Sequence, residues 1–485
     1  MRSHNLFLAI AAGSATAVFS YLGTGFHPIW WLLWLAPVPV LAIAPRLSSS
    51  GAFLLGSVAW LIGETNQWTY VRNEMQLPPQ TIILFFVIPA GVFGLGVLFT
   101  RSFLRRGSLF LGSLAFAVYW VTCEYLNATA SPHSTFGNLA YTQMNCLPVI
   151  QIASVTGIWG ISFIVFLFAG TTAALLSGAG KPGKRRGLAV AVAAVVCAAF
   201  VFGEWRLQSA PSAQPVGVTL LAKDMPISIY LGSEEQTLAL FRDYADEVGR
   251  VTPAGTQIVV LPEKIGRVSE SALPQVDALF SSTATATHAA IVLGLVRRMS
   301  SATFNSSRFY SADGKLEANY DKHHLLPGVE PEKPGNKRVI LEQPSGRWGL
   351  QICKDMDFPN LSREYAAAGA NLLLVPAWDF DLDRWLHARM AVLRAVENGF
   401  ALARAARNGL LTMSDNRGRI LAEASTVPGR FVSISGTVNV VREETFYTRT
   451  GNWFAWSCTV IFLILLGYRL LPRFSSKIRA RANSE

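Results

Sequence analysis

Hydrophobic positions in this chain follow two regimes. Up to about residue 205 they form long, nearly unbroken runs; from 206 to 450 the runs shorten and alternate with polar stretches. A helix needs about 20 apolar residues to cross a hydrocarbon core. Seven runs near that length precede residue 206, at about 5–23, 29–45, 51–68, 80–100, 108–127, 154–177 and 187–204, and an eighth covers about 453–471. The second and third are short for a span. The first is not read as a cleaved leader, because six more spans follow it.

Between the last two spans the pattern predicts strands at Val216–Leu221, Gln257–Leu261, Ala290–Leu295, Trp348–Cys353, Asn371–Pro376 and Val432–Ser435. Helical patterns fall at about 233–250, 269–287, 361–369 and 383–399. Strands alternating with helices predict one α/β domain with helices covering a sheet. The expected division is a transmembrane bundle of seven helices over 1–205, an external catalytic domain over 206–450, and a final span with a basic tail over 451–485.

Composition supports the membrane reading. Of 485 residues, 51% are hydrophobic and only 15% charged, a low charged share for a soluble protein. Charge adds an orientation. Under eight spans Arg2, Arg46, Arg101, Arg105, Arg106, Lys181, Lys184, Arg185, Arg186 and the tail from Arg469 to Arg481 all fall on one side. The opposite loops, about 23–28, 69–79 and 128–150, hold almost no Lys or Arg. Basic loops stay inside, so both termini are expected in the cytoplasm and 206–450 outside, in the periplasm of a two-membrane cell. The net charge of +11 then reflects topology and anionic lipid rather than nucleic acid. The five cysteines show no metal-ligand spacing, so no metal site is expected; a Cys123–Cys146 disulfide stays open as an option in an oxidising compartment.

Three residues close or follow strand-like runs and carry chemistry. Glu263 follows Leu261-Pro262, Lys322 follows Tyr320-Asp321, and Cys353 ends the run from Trp348. A carboxylate, an ammonium and a thiol suit acyl transfer: base, oxyanion partner and nucleophile. After Cys353, Phe358-Pro359-Asn360 leads into a helical run ending near Gly369. That strand–turn–helix geometry is expected to aim backbone N–H groups at an anion and lower the thiol pKa. Trp378, Phe380 and Trp385 read either as the lining of an acyl pocket or as aromatic core. His323 and His324 read as loop packing rather than base or metal ligands, and Glu64 and Glu124 lie close to spans, where carboxylates are costly.

These residues resemble the nitrilase (carbon–nitrogen hydrolase) superfamily, whose α-β-β-α sandwich places Glu, Lys and Cys in this order. The whole layout, spans around an external domain, resembles its membrane-bound apolipoprotein N-acyltransferase family. Further strings carry the likeness: Asn138-Leu139-Ala140-Tyr141-Thr142-Gln143, Gly157-Ile158-Trp159-Gly160, Tyr320 to Pro327 followed by Glu330, and Glu397-Asn398-Gly399. The resemblance implies that Cys353 takes an acyl chain from a membrane phospholipid and passes it to the N-terminal diacylglyceryl-cysteine of lipoproteins. It implies no cofactor, a monomer, and the bacterial cytoplasmic (inner) membrane. Glu330 matches a second family glutamate, expected to orient Lys322 or the acceptor amine, and Tyr230 stands nearest to an expected lid aromatic. Two departures are plain. Lys354 and Asp355 stand where the family has an aromatic and then Glu, with Asp355 expected to support the site in place of that Glu. Pro376-Ala377-Trp378-Asp379-Phe380-Asp381 replaces an Asn-Asp-Ala-Trp-Phe-Gly-like loop. A membrane-tethered amidase with water as acceptor, and a silent lipid-binding relative, are the alternatives.

Overall fold

The structure, a computed structural model, describes residues 3–209, 212–226 and 232–470. Among these, six helices are long and apolar enough to cross a membrane: Asn5–Gly23, Pro79–Leu104, Leu109–Ala130, Ile158–Leu176, Pro182–Gln208 and Trp453–Leu470. The second expected run is broken into Leu32–Leu35, Val38–Ile43 and a tight turn at Ala44–Arg46. Pro37 and Pro39 lie at the break, where a missing N–H and a fixed φ interrupt the hydrogen-bond ladder. The third forms a 16-residue helix, Ser49–Glu64, started by Ser48, whose hydroxyl accepts from Gly51 N at 3.0 Å. Small residues and aromatic rings hold the bundle. A methyl at Gly170 would meet the Ser113 carbonyl at 2.4 Å, and Trp60 stacks on Phe93 at 4.4 Å. Cys123 and Cys146 are both free.

The α/β region forms two sheets. The first holds β1 (Gln214–Lys223), β2 (Ile258–Val260), β3 (Arg267–Ser269), β4 (Ala290–Arg298), β5 (Thr303–Tyr310), β6 (Leu316–Asp321) and β13 (Phe431–Val440), in the order β13-β1-β2-β4-β5-β6 with β3 beside β4. The second holds β7 (Ile340–Gln343), β8 (Gly346–Leu350), β9 (Ala370–Trp378), β10 (Ala401–Arg407), β11 (Leu410–Ser414) and β12 (Ile420–Ser425), ordered β12-β11-β10-β9-β8-β7. Their inner faces meet through Val218, Leu220, Val260, Val292, Leu350, Leu372 and Ala403. Helices Glu234–Val251 and Leu273–Thr287 cover the first sheet through Phe241, Val248, Val276 and Phe280. The first of these begins on a capping box between Ser233 and Gln236, which satisfies two otherwise orphaned N–H groups.

Helices Pro359–Ala367 and Arg384–Asn398 cover the second sheet and face the bundle. Leu361, Met390, Val392 and Val396 share one apolar cluster with Val149, Ile150 and Ile158. Four layers, α-β-β-α, therefore sit on the membrane helices through the second helical layer. Polar contacts cross the same junction. Tyr70 donates to Asp383 at 2.8 Å, and Thr135 donates from both its hydroxyl (2.7 Å) and its N–H (3.3 Å) to the Asp357 carbonyl.

Candidate active site

The carboxylate, ammonium and thiol arrive from different strands. Glu263 follows β2, and its N–H donates across to Ala377 O of the second sheet at 3.2 Å. It can lie against β4 because position 294 is glycine: a methyl there would meet Pro262 O at 2.2 Å and Glu263 Cα at 2.8 Å. Lys322 follows β6, its N–H bonded to Asn305 O at 2.9 Å. Its Nζ lies 2.8 Å from Glu263 Oε1 and 2.8 Å from Glu330 Oε2. Asn305 Nδ2 donates to both carboxylates, to Glu263 Oε1 at 2.6 Å and Glu330 Oε1 at 2.8 Å. Glu330 Oε2 also accepts from Leu326 N at 2.7 Å. Glu263 and Lys322 are almost wholly enclosed, at 2% and 3% exposure.

Strand β8 stops at Leu350, and Cys353 opens a tight helical turn, Cys353–Asp357. Its φ of 44° is the left-handed region that a side chain rarely adopts, a strain found at functional turns. The thiol donates to Trp378 O at 3.4 Å. Asp355, fully buried, accepts from Ile352 N at 3.1 Å, Tyr320 OH at 2.7 Å and His324 N at 2.9 Å. It thus ties the cysteine turn to the residues flanking Lys322, without touching either reacting group. Lys354 points neither at the thiol nor at water: its Nζ pairs with Asp357 at 3.1 Å and meets His133 Nδ1 at 3.3 Å.

The aromatic residues have packing partners of their own. The Trp378 ring lies under the Arg407 guanidinium at 4.0 Å, and Trp385 lies by Arg389. Phe380 packs into a cluster with Tyr70, Val71, Ile82 and Phe86 at the end of the bundle. His323 Nε2 lies 3.2 Å from Lys337 O, and His324 stacks on Phe358 at 3.6 Å. Glu124 accepts from Trp120 Nε1 and Leu139 N, both at 3.0 Å, and Glu64 is held by Gln67. Tyr230 lies outside the described residues.

Sequence reasoning missed three participants. Arg404, on β10, makes a two-pronged ion pair with Asp379, both buried. Asn305 bridges the two glutamates. Lys264, adjacent to Glu263, pairs with Glu330 at 2.8 Å and Glu332 at 3.1 Å. The tandem Glu263-Lys264 and the paired Glu330 and Glu332 were the available signals.

Burial is the largest influence on the Cys353 thiol, and with the Glu263 and Asp379 carboxylates it outweighs the pull of Lys322 and Arg404, lifting the thiol well above its ordinary 9.0. The expected lowering is therefore reversed, and the resting sulfur keeps its proton. For Lys322 burial alone disfavours the charge, yet Glu263 and Glu330 hold its pKa well above 10.5. Glu330, despite burial, is pulled down to about 2 by Lys322 and Lys264. A protonated thiol beside a carboxylate and a fixed cation suits a mechanism in which the proton leaves as the sulfur attacks.

Residues 222–436 match the carbon–nitrogen hydrolase family model, and residues 16–171 match that of the apolipoprotein N-acyltransferase N-terminal domain. The chain is 27% identical to the apolipoprotein N-acyltransferase of Geobacter metallireducens, over 93% of this chain and 92% of that one. To that of Shewanella oneidensis it is 24% identical, over 97% and 95%. It also resembles the solved structure of an amidase from Nesterenkonia sp. at 21% identity and TM-score 0.40, covering 48% of this chain and 92% of the amidase.

Proposed function

We propose, from the premise that this chain belongs to the apolipoprotein N-acyltransferase family, that it N-acylates lipoproteins with Cys353 as the acyl carrier. The buried Glu263–Lys322 pair acting on the Cys353 sulfur, in a domain seated on a membrane bundle, carries this reading. The sulfur attacks the ester carbonyl of a membrane phospholipid while Glu263 accepts the thiol proton. Lys322 steadies the oxyanion. Glu263 returns the proton to the departing alcohol, leaving a thioester. The α-amine of a diacylglyceryl-cysteine then attacks, gives a proton to Glu263 and leaves as an amide, while the regenerated thiolate recovers that proton. Ester to thioester is slightly uphill, thioester to amide is steeply downhill, and the net conversion of ester to amide is favourable and calls for no nucleotide.

Eight spans belong to the same proposal, with the broken segment Leu32–Arg46 and Ser49–Glu64 added to the six long helices. So do the division at 1–205, 206–450 and 451–485, cytoplasmic termini and an outward-facing catalytic domain in the inner membrane, where a monomer meets its lipid by lateral diffusion. Glu330 orients Lys322, Asp355 braces the nucleophile turn, and Trp378 fixes the thiol through its carbonyl. Phe380 borders the acyl route and Tyr230 serves the lid.

Purified protein incubated with phospholipid labelled in its acyl chain, then chased with a diacylglyceryl-cysteinyl peptide, tests this. Label is expected on Cys353 first and on the peptide amine after the chase. Cys353→Ala is expected to take none, and Lys322→Met to slow labelling by about 10²–10³-fold. Label reaching the peptide through the Cys353→Ala protein would overturn the assignment.

A further inference from the structure

Lys264 lies beside the proposed base but outside the triad. Its backbone turns left-handed, at φ 50°, and Arg407 holds that turn by donating to the Lys264 carbonyl at 3.2 Å. The turn lets two neighbouring side chains, Glu263 and Lys264, end in one buried charge cluster. Glu330 is divided between two cations: Oε1 lies 2.8 Å from Lys264 Nζ and Oε2 lies 2.8 Å from Lys322 Nζ. Glu332, 5% exposed, completes the row at 3.1 Å from Lys264. Three carboxylates and two ammonium groups thus share an enclosed site. Removing the Lys264 ammonium would leave Lys322 facing both Glu263 and Glu330 without the share of Glu330 that Lys264 takes.

We propose that Lys264 is a positioning residue: by drawing one oxygen of Glu330 to itself, it leaves Lys322 enough unneutralised charge to serve the Cys353 sulfur. The proposal rests on the acyl-transfer reading of Glu263, Lys322 and Cys353. The charges that act on the sulfur are Glu263 and Asp379 against Lys322 and Arg404; the carboxylates that Lys264 pairs with include Glu330 and Glu332. Lys264 therefore works at one remove, through Glu330 and then Lys322, and its loss raises the cost of putting negative charge on sulfur.

Alkylation of Cys353 by iodoacetamide, followed on the full chain by mass spectrometry from about pH 6 to about pH 10, reads that cost directly. Lys264→Met is expected to slow alkylation about tenfold at mid-range and move the profile to higher pH, and Lys264→Arg to restore it. A Lys264→Met profile coincident with the parent, or equal loss in both variants, would overturn the proposal. If Lys264→Met fails to fold, the double variant Lys264→Met/Glu332→Gln removes the Glu332 charge as well. The delayed profile is expected there too, and a parental profile in that protein refutes the idea. No lipid enters the measurement, so its failure leaves the acyl-transfer reading standing. Absence of a phospholipid-derived thioester in the parent, with Lys264→Met still delayed, would sink that reading alone.

Discussion

The Asp379–Arg404 pair offers a perturbation whose two halves push stability one way and reactivity opposite ways. Both residues are enclosed, each at 2% exposure, and the guanidinium grips both carboxylate oxygens. The carboxylate is wedged against Gly409, where a methyl would meet Asp379 Oδ2 at 2.3 Å, so it has little room to find another partner. Removing either charge strands the other in a dry site, which costs about 3–5 kcal/mol. At about 2–4 °C per kcal/mol for a domain of this size, that is a fall in melting temperature of roughly 6–20 °C. Asp379→Asn and Arg404→Met should therefore both melt early. Their effects on the thiol differ, because Asp379 raises the Cys353 pKa and Arg404 lowers it. Asp379→Asn should speed iodoacetamide alkylation of Cys353 at fixed pH, and Arg404→Met should slow it, each by about tenfold for every 1.4 kcal/mol of interaction removed. The double variant should recover part of the lost stability, since the coupling is pairwise. Thermal unfolding in detergent with alkylation on the same samples is the assay. Two single variants that shift the alkylation rate in the same direction would refute the electrostatic account and leave only a structural role.

Three further outcomes are expected. Gly294→Ala places a methyl against the Glu263 backbone and should lower kcat by about 10²-fold, as a displaced catalytic group does, measured by thioester formation; an unchanged rate would show that the base loop is not seated by β4. Tyr320→Phe removes the 2.7 Å hydrogen bond to the buried Asp355 carboxylate and should cost about 1.5–3 kcal/mol, read by thermal unfolding; a melting temperature equal to the parent's would show that Asp355 does not lean on it. His387 has its pKa raised from 6.5 to about 9: burial opposes the charge, but Asp383, with Asp379 and Asp357, outweighs it. A histidine raised in the folded state adds stability that is full below about pH 6.5 and lost as pH climbs through about 9, so the parent should lose up to about 3 kcal/mol across that window while His387→Gln stays flat.

The sequence made the inner sheets partly legible. Strands β1, β2, β4, β8 and β9 read as apolar runs because most of their residues are covered, on one side by the facing sheet and on the other by helices, whereas β13 read through the alternation of Val432 and Ile434 with the exposed Ser433 and Ser435. β5 and β6 did not, because Thr303–Tyr310 and Leu316–Asp321 hold Asn305, Ser306, Ser307 and Asp321, of which Asn305, Ser306 and Asp321 are spent on the site or on its neighbours. Arg297 donates to Asp321 and to Ser306, and Asn305 serves two glutamates. β10 was hidden by composition: Ala401–Arg407 is mostly alanine, a residue that favours helix, with two arginines whose burial depends on Asp379 and Trp378, residues distant in sequence. Glu263, Lys322 and Cys353 were readable because each follows a strand-like run. Lys264 had only the tandem Glu263-Lys264 and the pair Glu330 and Glu332 to signal it, and Asn305 and Arg404 take their roles from cross-strand partners that no local pattern encodes. The thiol's direction was misjudged for the same reason: a turn predicts N–H groups, but burial and two carboxylates decide the charge.

The position of Lys354 follows from that same non-local logic. From sequence, Lys354 reads either as a tuner of the thiolate or as a side chain pointing to water; its ammonium does neither and runs to Asp357 and His133. The Asp357 carbonyl accepts both donors of Thr135, and Thr135 in turn shares a 2.7 Å hydrogen bond with Tyr141. The turn that bears Cys353 is therefore held on one side by Asp355, which reaches the Lys322 loop, and on the other by the loop that follows the helix Leu109–Ala130. A left-handed cysteine persists only where its surroundings over-determine it, and here half of those surroundings belong to the membrane bundle. It follows that the catalytic domain cut away from residues 1–205 should keep its two sheets but lose the fixed geometry of its sulfur. The bundle then does more than anchor the α/β domain: it supplies part of the frame in which the Cys353 turn is strained into place.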